Sequence, residues 1–458
     1  MTQKQVFHLL GLFVLFSFAS RGGACEELVP MPIDPLCLSP EEASAGEELL
    51  ISVMHPIVVD KSAGSLYHEV AKKLEETLYR DLTLSGVFYV LKKSLFPAGF
   101  IPMVYEEEVF DYFGFRDAGA YIVLVVELYG SESRRPSVRT KVFLTEEGMQ
   151  LKLGGGDGEL EPTKAERFAH RVVNALIKCF TGVRGNFGSR IAFALKRHQK
   201  KEIFVLEFGS TSIRQVSSDG ELAILPTWTP GGLIAYTGFR RGNPDLYVVD
   251  PETGKETLFS SYQGINSGVS FEPQGRFAAI SLSLDDNPDI YLVDASGKRL
   301  IARLTDSKGI DISPCFSPDG ERIAFVSDRL GGPQIFLMDK DGKNQNPLPL
   351  PGRYNTSPDF SPDGNFIAYQ SRGEDSRFSI WIYDTRNALA TRLSGGHWDD
   401  EKPSFSPDGK LIVFTSTRLG RKILFLMNRD GSYQRPLIME DGEFSTPSWE
   451  KFFAFSQR

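Results

Sequence analysis

The chain has 458 residues and a formal net charge of −8, and it contains no dense run of Lys and Arg. A chain of this charge has no broad positive field for a phosphate backbone, so nucleic acid is excluded as an expected partner. The length, with 43 Gly and 27 Pro residues that favour turns, predicts two folded units, one of them rich in β-structure.

The first residues have the order of a secretory signal peptide. Lys4 precedes an apolar run over residues 6–19, and small residues follow up to Ala24. The run is too short to cross a membrane comfortably, so we predict a leader at 1–24 that is removed on export, leaving no membrane span. Two alternatives stay open: an uncleaved membrane anchor, and a lipidated Cys25.

Residues 25–47 are predicted to be a flexible acidic segment. The stretch 26–48 carries seven acidic side chains and no Lys or Arg. It is also rich in Pro and has no apolar periodicity, which is typical of a chain that cannot build a core.

The next segment, 48–183, predicts a small α/β domain. Apolar and β-branched runs predict strands at 49–59, 87–91, 121–128 and 139–145. Apolar residues at helical spacing predict helices at 66–84, 106–113 and 163–179. Thr163 is the expected N-cap of the last helix and Gly182 its C-terminal stop. The glycine run at 154–158 lacks the spacing of a phosphate-binding loop and is interpreted as a turn.

The C-terminal half contains a repeat of 43 to 45 residues, and the copy at Pro314–Gly342 shows it best. A Pro-x-aromatic strand leads through Ser-Pro-Asp-Gly, a tight turn, into an Ile-Ala-Phe strand and a third strand that ends in Asp. A Leu-Thr strand such as Leu304–Thr305 is expected to complete the unit. The aromatic residue recurs at Trp228, Phe271, Phe316, Phe360, Phe405 and Trp449. This period is typical of four-stranded propeller blades.

The ends of the repeat predict how the propeller closes. The Ile-Ala-Phe motif or a close variant occurs six times, from Ile191–Phe193 to Ile412–Phe414. The first copy has no Pro-x-aromatic strand before it, and Pro447–Trp449 has no full unit after it. We therefore predict an all-β six-bladed β-propeller at 187–458 whose first blade is completed by the C-terminal strand, which leaves no free sheet edge.

These motifs resemble those of the TolB family. The most specific stretch is the junction between the two predicted domains, Cys179–Phe193, which reads CFTGVRGNFGSRIAF. The segments Arg167–His170 and Tyr79–Leu82 and the Ser-Pro-Asp-Gly blades also match the family pattern. The resemblance covers about 48–458, with two departures from the family pattern: the third blade has another turn sequence at Glu272–Gly275, and the N-terminal segment is longer, acidic and Pro-rich, unlike the family's usual short start.

The resemblance implies a periplasmic, non-enzymatic scaffold of the Tol–Pal system. It implies that the propeller binds the peptidoglycan-associated lipoprotein Pal and that the N-terminal segment contacts inner-membrane TolA. The implied role is to link outer membrane, peptidoglycan and inner membrane, to maintain envelope integrity and to support outer-membrane invagination during cell division.

The sequence shows no recognisable catalytic constellation. A serine peptidase would need a GxSxG elbow, and this motif does not occur. Metal-dependent propeller enzymes need clustered ligands at the channel, but His198 and His397 are the only histidines in the propeller sequence. We expect no enzyme activity, no cofactor and no metal; the alternative is a propeller hydrolase or lyase acting on a small carbohydrate or peptide.

Other chemically suggestive residues receive structural interpretations. His170 is expected to be a partly buried, hydrogen-bonded histidine of the last helix in the first domain. Asp339–Gly342 resembles the start of a calcium loop but repeats between blades, so it is interpreted as a hairpin turn. Cys37 and Cys179 are interpreted as free thiols, although an exported protein would permit a bridge between them.

Partner binding is expected on one face of the propeller, where the loops differ between blades. The candidate residues before the inner strands are Asn266, Asp311, Tyr354, Asn355, His397, Trp398, Asp399, Asp400 and Glu401. The arginines expected beside them, after the second strands, are Arg240, Arg241, Arg329, Arg377 and Arg418. An exposed Trp398 next to three acidic residues is the expected hot spot, and the alternative is that all these residues are ordinary solvated loop positions.

Overall fold

The structure is a computed structural model, and it describes residues 51–54, 57–59, 65–91, 112–129, 136–151, 153, 158–285 and 287–451. The predicted leader, the acidic segment, Cys37 and the glycines at 154–156 lie outside these residues. The chain divides into two units, 1–185 and 186–458, at a boundary that lies between the predicted domains 48–183 and 187–458. Among the described residues, no helix has the length and apolar character that a membrane span needs.

The first unit contains a mixed seven-stranded sheet. Its strands are β1 (Ile51–Met54), β2 (Ile57–Val59), β3 (Phe88–Val90), β4 (Ile122–Tyr129), β5 (Ser137–Leu144), β6 (Met149–Leu151) and β7 (Gly158–Glu159). β1 lies parallel to β3 and β4, β2 is also parallel to β4, and β5 is antiparallel to β4 and carries β6 and β7. Parallel pairing next to long helices confirms the predicted α/β class.

Three helices accompany this sheet in the described part of the first unit: α1 (Ser65–Leu84), α2 (Tyr112–Asp117) and α3 (Ala165–Thr181). α1 packs against α3 and buries a stripe of residues three or four positions apart, namely Tyr67, Val70, Leu74, Leu78 and Leu82. Only the end of the predicted helix 106–113 is described, and the helix there continues to Asp117.

The start of α3 differs from the prediction, whereas its end agrees. Thr163 is not the N-cap, because it lies inside a short 3₁₀ turn, Pro162–Lys164, and Lys164 occupies the cap position without a side-chain hydrogen bond. Pro162 can begin this tight turn because it needs no N–H partner there. At the other end, Gly182 has φ 71° and donates its N–H to the carbonyl of Lys178, a left-handed helix stop.

The second unit consists of six four-stranded antiparallel sheets. The first three are formed by β8 (Arg190–Arg197), β9 (Lys200–Glu207), β10 (Ile213–Gln215) and β31 (Glu443–Trp449); by β11 (Ala223–Trp228), β12 (Ile234–Gly238), β13 (Asp245–Val249) and β14 (Glu256–Ser260); and by β15 (Asn266–Phe271), β16 (Phe277–Leu282), β17 (Asp289–Asp294) and β18 (Leu300–Arg303).

The last three sheets follow in chain order. They are formed by β19 (Asp311–Phe316), β20 (Arg322–Ser327), β21 (Gln334–Asp339) and β22 (Asn346–Pro347); by β23 (Asn355–Phe360), β24 (Phe366–Arg372), β25 (Phe378–Asp384) and β26 (Leu389–Arg392); and by β27 (Asp400–Phe405), β28 (Leu411–Ser416), β29 (Ile423–Asn428) and β30 (Arg435–Pro436).

The inner strands of these sheets follow one another in a ring. β11, β15, β19, β23 and β27 each contact the next, and β31 contacts both β27 and β11. β31 also pairs with β8, with Trp449 opposite Ile191, so the C-terminal strand supplies the inner strand of the first sheet. The predicted fold, six blades with the first completed by the end of the chain, is confirmed.

The predicted fourth strand was placed wrongly in its blade. Leu304–Thr305 is not a strand; the fourth strand is β18, Leu300–Arg303. The N–H groups of Leu304 and Thr305 instead both reach the carbonyl of Ile290, and both side chains are buried. The Leu-Thr pair anchors the chain after the outer strand, which itself is largely exposed.

The divergent turn of the third blade keeps the shape of the others. Gly275 has φ 70° and donates its N–H to Glu272 over 2.8 Å, as Gly320 does to Ser317 over 2.9 Å. The glycine tolerates the left-handed conformation that the last turn position requires. The replacement of Ser-Pro-Asp-Gly at Glu272–Gly275 therefore leaves the turn intact, as expected.

Each inner strand contains one bulge with a left-handed residue. These six positions, which we call the bulge ring, are Leu225, Gly268, Ser313, Ser357, Lys402 and Thr446, with φ between 49° and 58°. Each lies three residues before the aromatic anchor of its blade, where the pairing with the second strand shifts register. A bulge in every blade turns the inner strand sharply at the channel wall.

Hydrogen bonds join three of the inner strands to the next, from the residue before one aromatic anchor to the N–H of the following anchor. The hydroxyl of Ser270 accepts the N–H of Phe316 over 3.0 Å, and the hydroxyl of Ser404 accepts the N–H of Trp449 over the same distance. These bonds satisfy backbone N–H groups that have no strand partner on the channel side.

Candidate partner-binding face

The structure buries four of the nine residues predicted to contact a partner. Asn266, Asp311, Asn355 and Asp400 are each the first residue of an inner strand, and each is 0% exposed. A side chain without solvent access cannot touch a partner, so this part of the predicted site is wrong. These four residues are buried because the first residue of an inner strand turns its side chain into the propeller, beneath the loop that precedes the strand.

Asp311 is held by an arginine of the same blade. Nη2 of Arg329 lies 2.7 Å from Oδ2 of Asp311. The same guanidinium donates from Nε to the hydroxyl of Ser327 and from Nη1 to Oε1 of Gln345, each over 2.8 Å. This arginine clamp ties the inner, second and fourth strands of the blade together, so Arg329 is committed to the fold.

An equivalent arginine clamp occurs two blades later. Nη2 of Arg418 lies 3.0 and 2.9 Å from the two carboxylate oxygens of Asp400. Arg418 also donates to Ser416 and Gln434, each over 2.8 Å, and its guanidinium carbon lies 5.1 Å from the ring centroid of Trp398. The charges predicted to meet a partner here compensate each other inside the blade.

The two buried asparagines shape the loops before their strands. Nδ2 of Asn266 donates to the carbonyls of Tyr262 and Gly264 over 2.7 and 3.2 Å. Nδ2 of Asn355 donates to the carbonyl of Pro351 over 3.0 Å and to Oε1 of Gln334 over 2.8 Å. These bonds hold the loops in fixed conformations, and a fixed loop loses little freedom when a partner binds.

The other predicted residues keep some access to solvent. His397 is exposed, whereas Tyr354, Trp398, Asp399 and Glu401 are half-buried. Trp398 is less exposed than expected because its Nε1–H donates to Oδ2 of the buried aspartate at 400 over 3.2 Å.

Two of these acidic residues are already paired within the propeller. Asp399 lies 2.9 Å from Nη1 of Arg377, and Glu401 forms an ion pair with Lys422. The acids beside the tryptophan are thus less available to a partner than their sequence suggests.

Sequence reasoning missed exposed apolar residues on the same loops. Ile265 and Ile310 stand just before β15 and β19 and are 42% and 45% exposed; Leu330 and Leu419 follow β20 and β28 and are 64% and 53% exposed. The last two belong to an Arg-Leu-Gly tripeptide that occurs in both blades, and this repetition was the available signal. Exposed apolar side chains grouped on one set of loops favour contact with a protein.

A cleft of about 770 Å³ lies beside this apolar group. It is lined by Lys308, Gly309, Asp328, Arg329, Gly331, Gly332 and Pro333. Asp328 fixes its two walls, accepting the N–H of Ile310 at one carboxylate oxygen over 2.7 Å and the N–H of Gly331 at its carbonyl over 2.8 Å. An open cleft with apolar neighbours and one Lys fits a protein side chain.

In the first unit, His170 is buried and close to a carboxylate, as expected of a structural histidine. Its Nδ1 lies 2.6 Å from Oδ2 of Asp81, joining α1 to α3. Burial raises the pKa of Asp81 to about 6, although the hydrogen bond and charge of His170 act in the opposite direction. Arg80 and Glu166 form a second link between the same helices over 3.1 Å.

The calcium-loop-like segment Asp339–Gly342 belongs to no metal site in the part of the chain that the structure describes. Within those residues, no group of three or more His, Cys, Asp or Glu side chains is arranged around a common point. At Asp339–Gly342, the N–H of Gly342 donates to the carbonyl of Asp339 over 2.9 Å, and Asn344 donates to the carboxylate of Asp339. The segment is a hairpin turn.

Comparison with known proteins places this arrangement among described propellers. The sequence profile of the TolB β-propeller domain matches residues 177–453. The Tol-Pal system protein TolB of Bordetella pertussis is 31% identical over 404 residues, which cover 88% of this chain and 89% of that protein. The protein TolB homolog of Chlorobium luteolum is 38% identical over 292 residues, covering 63% of this chain and 66% of that protein.

A solved structure is similar over most of the chain. The crystal structure of TolB from Acinetobacter baumannii has a TM-score of 0.74 and 26% sequence identity, and the match covers 87% of this chain and 96% of that one.

Proposed function

The chain belongs to the TolB family, and we propose that it is a component of the Tol–Pal system that acts as a periplasmic, non-enzymatic scaffold for protein partners. The observation that carries this proposal is similarity to a Tol-Pal system protein along 88% of the chain, through both units. The predicted leader at 1–24 supports export, because a scaffold between two membranes must first cross the inner one.

Pal is the proposed partner on the propeller. Its proposed site is the face formed by the loops before the inner strands and after the second strands, which we call the loop face. The apolar residues Ile265, Ile310, Leu330 and Leu419 form its contact surface, and the cleft beside Arg329 receives a side chain of the partner. Of the residues first predicted, Tyr354, His397, Trp398, Asp399 and Glu401 stay within the proposed surface at its rim. Apolar contacts surrounded by polar residues are typical of specific protein interfaces.

TolA is the proposed partner of the N-terminal segment, 25–47. The segment is acidic and lacks core-forming residues, so it is available to bind without unfolding the rest of the chain. Through both contacts the protein would link outer membrane, peptidoglycan and inner membrane, maintain the envelope, and support invagination of the outer membrane at division.

The proposed Pal site is tested by calorimetric titration of residues 26–458 with the peptidoglycan-binding domain of Pal from the same source. We expect saturable binding by the wild type. Leu330→Asp and Leu419→Asp should each weaken binding by about tenfold, because each places a charge in an apolar contact. Leu389→Asp is the matched control: Leu389 is 61% exposed on β26, outside the proposed face, and binding should not change.

The outcomes separate the site from the function. Binding that is lost equally in all three variants would reject the loop face, and no binding by a folded wild type would reject Pal as partner and favour the hydrolase or lyase alternative. Deletion of 26–47 should leave Pal binding intact and abolish capture of TolA. Unchanged capture of TolA by the deletion variant would reject the role of this segment.

A further inference from the structure

The bulge ring is chemically uneven, although its backbone is the same in every blade. All six positions have a left-handed backbone, so this conformation belongs to the architecture. Four consecutive positions carry polar side chains: Ser313 on β19, Ser357 on β23, Lys402 on β27 and Thr446 on β31. Because β27 contacts both β23 and β31, the lysine lies between Ser357 and Thr446.

Lys402 has no direct ion-pair partner. Its backbone N–H donates to Oε1 of Gln370 over 2.9 Å, but its ammonium takes part in no ion pair or hydrogen bond with any residue that the structure describes. The adjacent Glu401 acts on it only from a distance, since that carboxylate is paired with Lys422. Burial lowers the pKa of Lys402, the charge of Glu401 raises it, and the charge of Lys422 lowers it. An unpaired ammonium in such a place costs free energy that an anion would recover.

The two flanking hydroxyls also have unused hydrogen-bonding capacity. Oγ of Ser357 and Oγ1 of Thr446 are buried, and neither has a hydrogen-bond partner among the described residues. Each hydroxyl can donate one hydrogen bond. The three side-chain donors therefore stand at equivalent positions of three neighbouring inner strands, and none has an acceptor among the described residues.

The surrounding charges favour an anion at this place. Two charged residues, Glu401 and Lys422, interact electrostatically with Lys402, so the three together carry one positive charge in excess. This local excess contrasts with the net charge of −8 for the chain.

We propose that Lys402, Ser357 and Thr446 form a binding site for a small carboxylate ion in the central channel of the propeller. One ammonium balances one carboxylate charge, and the two hydroxyls donate to its oxygens. A phosphate would draw on arginine forks or a row of backbone N–H groups, which these three residues do not supply. The site goes beyond the proposed function and does not depend on it, since none of the three residues belongs to the loop face.

The probes are sodium acetate and sodium succinate, with sodium phosphate for comparison, titrated into residues 26–458 at constant ionic strength. The readout is the ¹³Cε resonance of Lys402 in protein labelled at lysine, together with calorimetry. We expect saturable shifts with both carboxylates and weaker binding of phosphate. Lys402→Met should weaken acetate binding by at least about tenfold, and Ser357→Ala and Thr446→Val by about threefold to fivefold each.

Two controls keep the test decisive. Lys298→Met removes an exposed lysine from a hairpin turn and should leave acetate binding unchanged, whereas Lys402→Arg retains the charge and should retain binding within about threefold. Absence of a saturable shift up to about 50 mM acetate in the folded wild type overturns the proposal. Equal acetate affinity in Lys402→Met overturns it too, and tighter binding of phosphate than of acetate overturns its carboxylate assignment.

Discussion

The indole Nε1–H of Trp449 donates a hydrogen bond to the hydroxyl of Ser189 over 2.8 Å, between residues 260 positions apart in the chain. Trp449 is 1% exposed and contacts Phe208 edge to face, with 4.9 Å between ring centroids. The last strand is thus fastened to the first residues of the propeller by a buried aromatic side chain as well as by strand pairing. The stability of the whole ring should depend on this residue.

Trp449→Ala should therefore destabilise the propeller by roughly 3–5 kcal/mol, the cost of emptying a buried aromatic site. Ser189→Ala, which removes the hydroxyl that accepts from Trp449 and donates to the carbonyl of Asn186, should cost about 1–2 kcal/mol. Urea unfolding followed by tryptophan fluorescence measures both, with the half-buried Trp398→Ala as control. Equal losses for the two tryptophan variants would show that Trp449 has no special role in closure.

Arg418→Ala should be far more damaging than its surface location suggests. It leaves the carboxylate of Asp400 buried without its cation, a change that typically costs about 3–5 kcal/mol. Arg329→Ala should have the same effect on Asp311. Arg386→Ala, which breaks an exposed ion pair with Asp384, serves as control and should change the free energy of unfolding within error.

The burial of Asp400 also changes what a substitution at this position would measure. Asp400 was predicted to contact a partner, but Asp400→Ala would report on folding, because the side chain is buried. Loss of partner binding in Asp400→Ala together with a normal free energy of unfolding would contradict the clamp.

The architecture could be predicted from the sequence because each blade repeats it. The spacing of the aromatic anchors indicated four-stranded blades, the six copies of the second-strand motif indicated their number, and the unmatched Pro447–Trp449 strand indicated its pairing with the first blade. The direction of single side chains could not be predicted. Asp311 and Trp398 both precede or begin inner strands, yet Asp311, the first residue of β19, is buried, whereas Trp398, in the loop two residues before β27, is partly exposed.

The arginine clamps correspond to a sequence motif that can be recognised only once the structure is known. In both blades a Ser-x-Arg motif is followed 16 residues after its arginine by a glutamine, as in Ser327, Arg329 and Gln345. The three side chains meet only because the second and fourth strands lie on either side of the third. Read along the chain, the arginine stands in an exposed loop, which explains why it was expected to meet a partner.

The pair formed by Asp81 and His170 should make the stability of the first unit depend on pH. Asp81 has a pKa of about 6 in the folded protein and about 3.9 in an unfolded chain. Between these values the folded protein holds a proton that the unfolded chain has released, so stability falls as pH rises from 4 to 6 and then levels off. Asp81→Asn should remove this dependence.

Circular dichroism at 222 nm can follow this unit, because the described helices all lie in it, whereas the four tryptophans lie in the propeller. Glu76→Gln, an exposed change on the same helix, is the matched control and should retain the pH dependence. A wild-type first unit that grows more stable from pH 4 to pH 6 would contradict the sign.

Cys315 should react slowly with alkylating reagents in the folded protein. Burial raises the pKa of its thiol to about 11, so at pH 8 only about one thiol in a thousand is ionised, against roughly a quarter of ordinary thiols. Alkylation by iodoacetamide, followed at the peptide level by mass spectrometry, should be at least about 100-fold slower than in guanidinium. Similar rates in both conditions would show that this thiol is not shielded.

Two glycines of the third blade should respond very differently to the same change. Gly268 and Gly264 both have positive φ, 56° and 86°, but an added Cβ on Gly268 would lie 3.5 Å from its nearest neighbour, whereas on Gly264 it would lie 2.5 Å from the carbonyl oxygen of Ser283. The other five blades hold residues with side chains in the conformation of Gly268.

Gly268→Ala should therefore cost only about 1–2 kcal/mol, the ordinary left-handed penalty. Gly264→Ala adds a backbone clash and should cost roughly 2–5 kcal/mol. Urea unfolding of both variants decides, and a larger loss for Gly268→Ala would show that this blade needs glycine in the bulge ring for a reason its neighbours do not share.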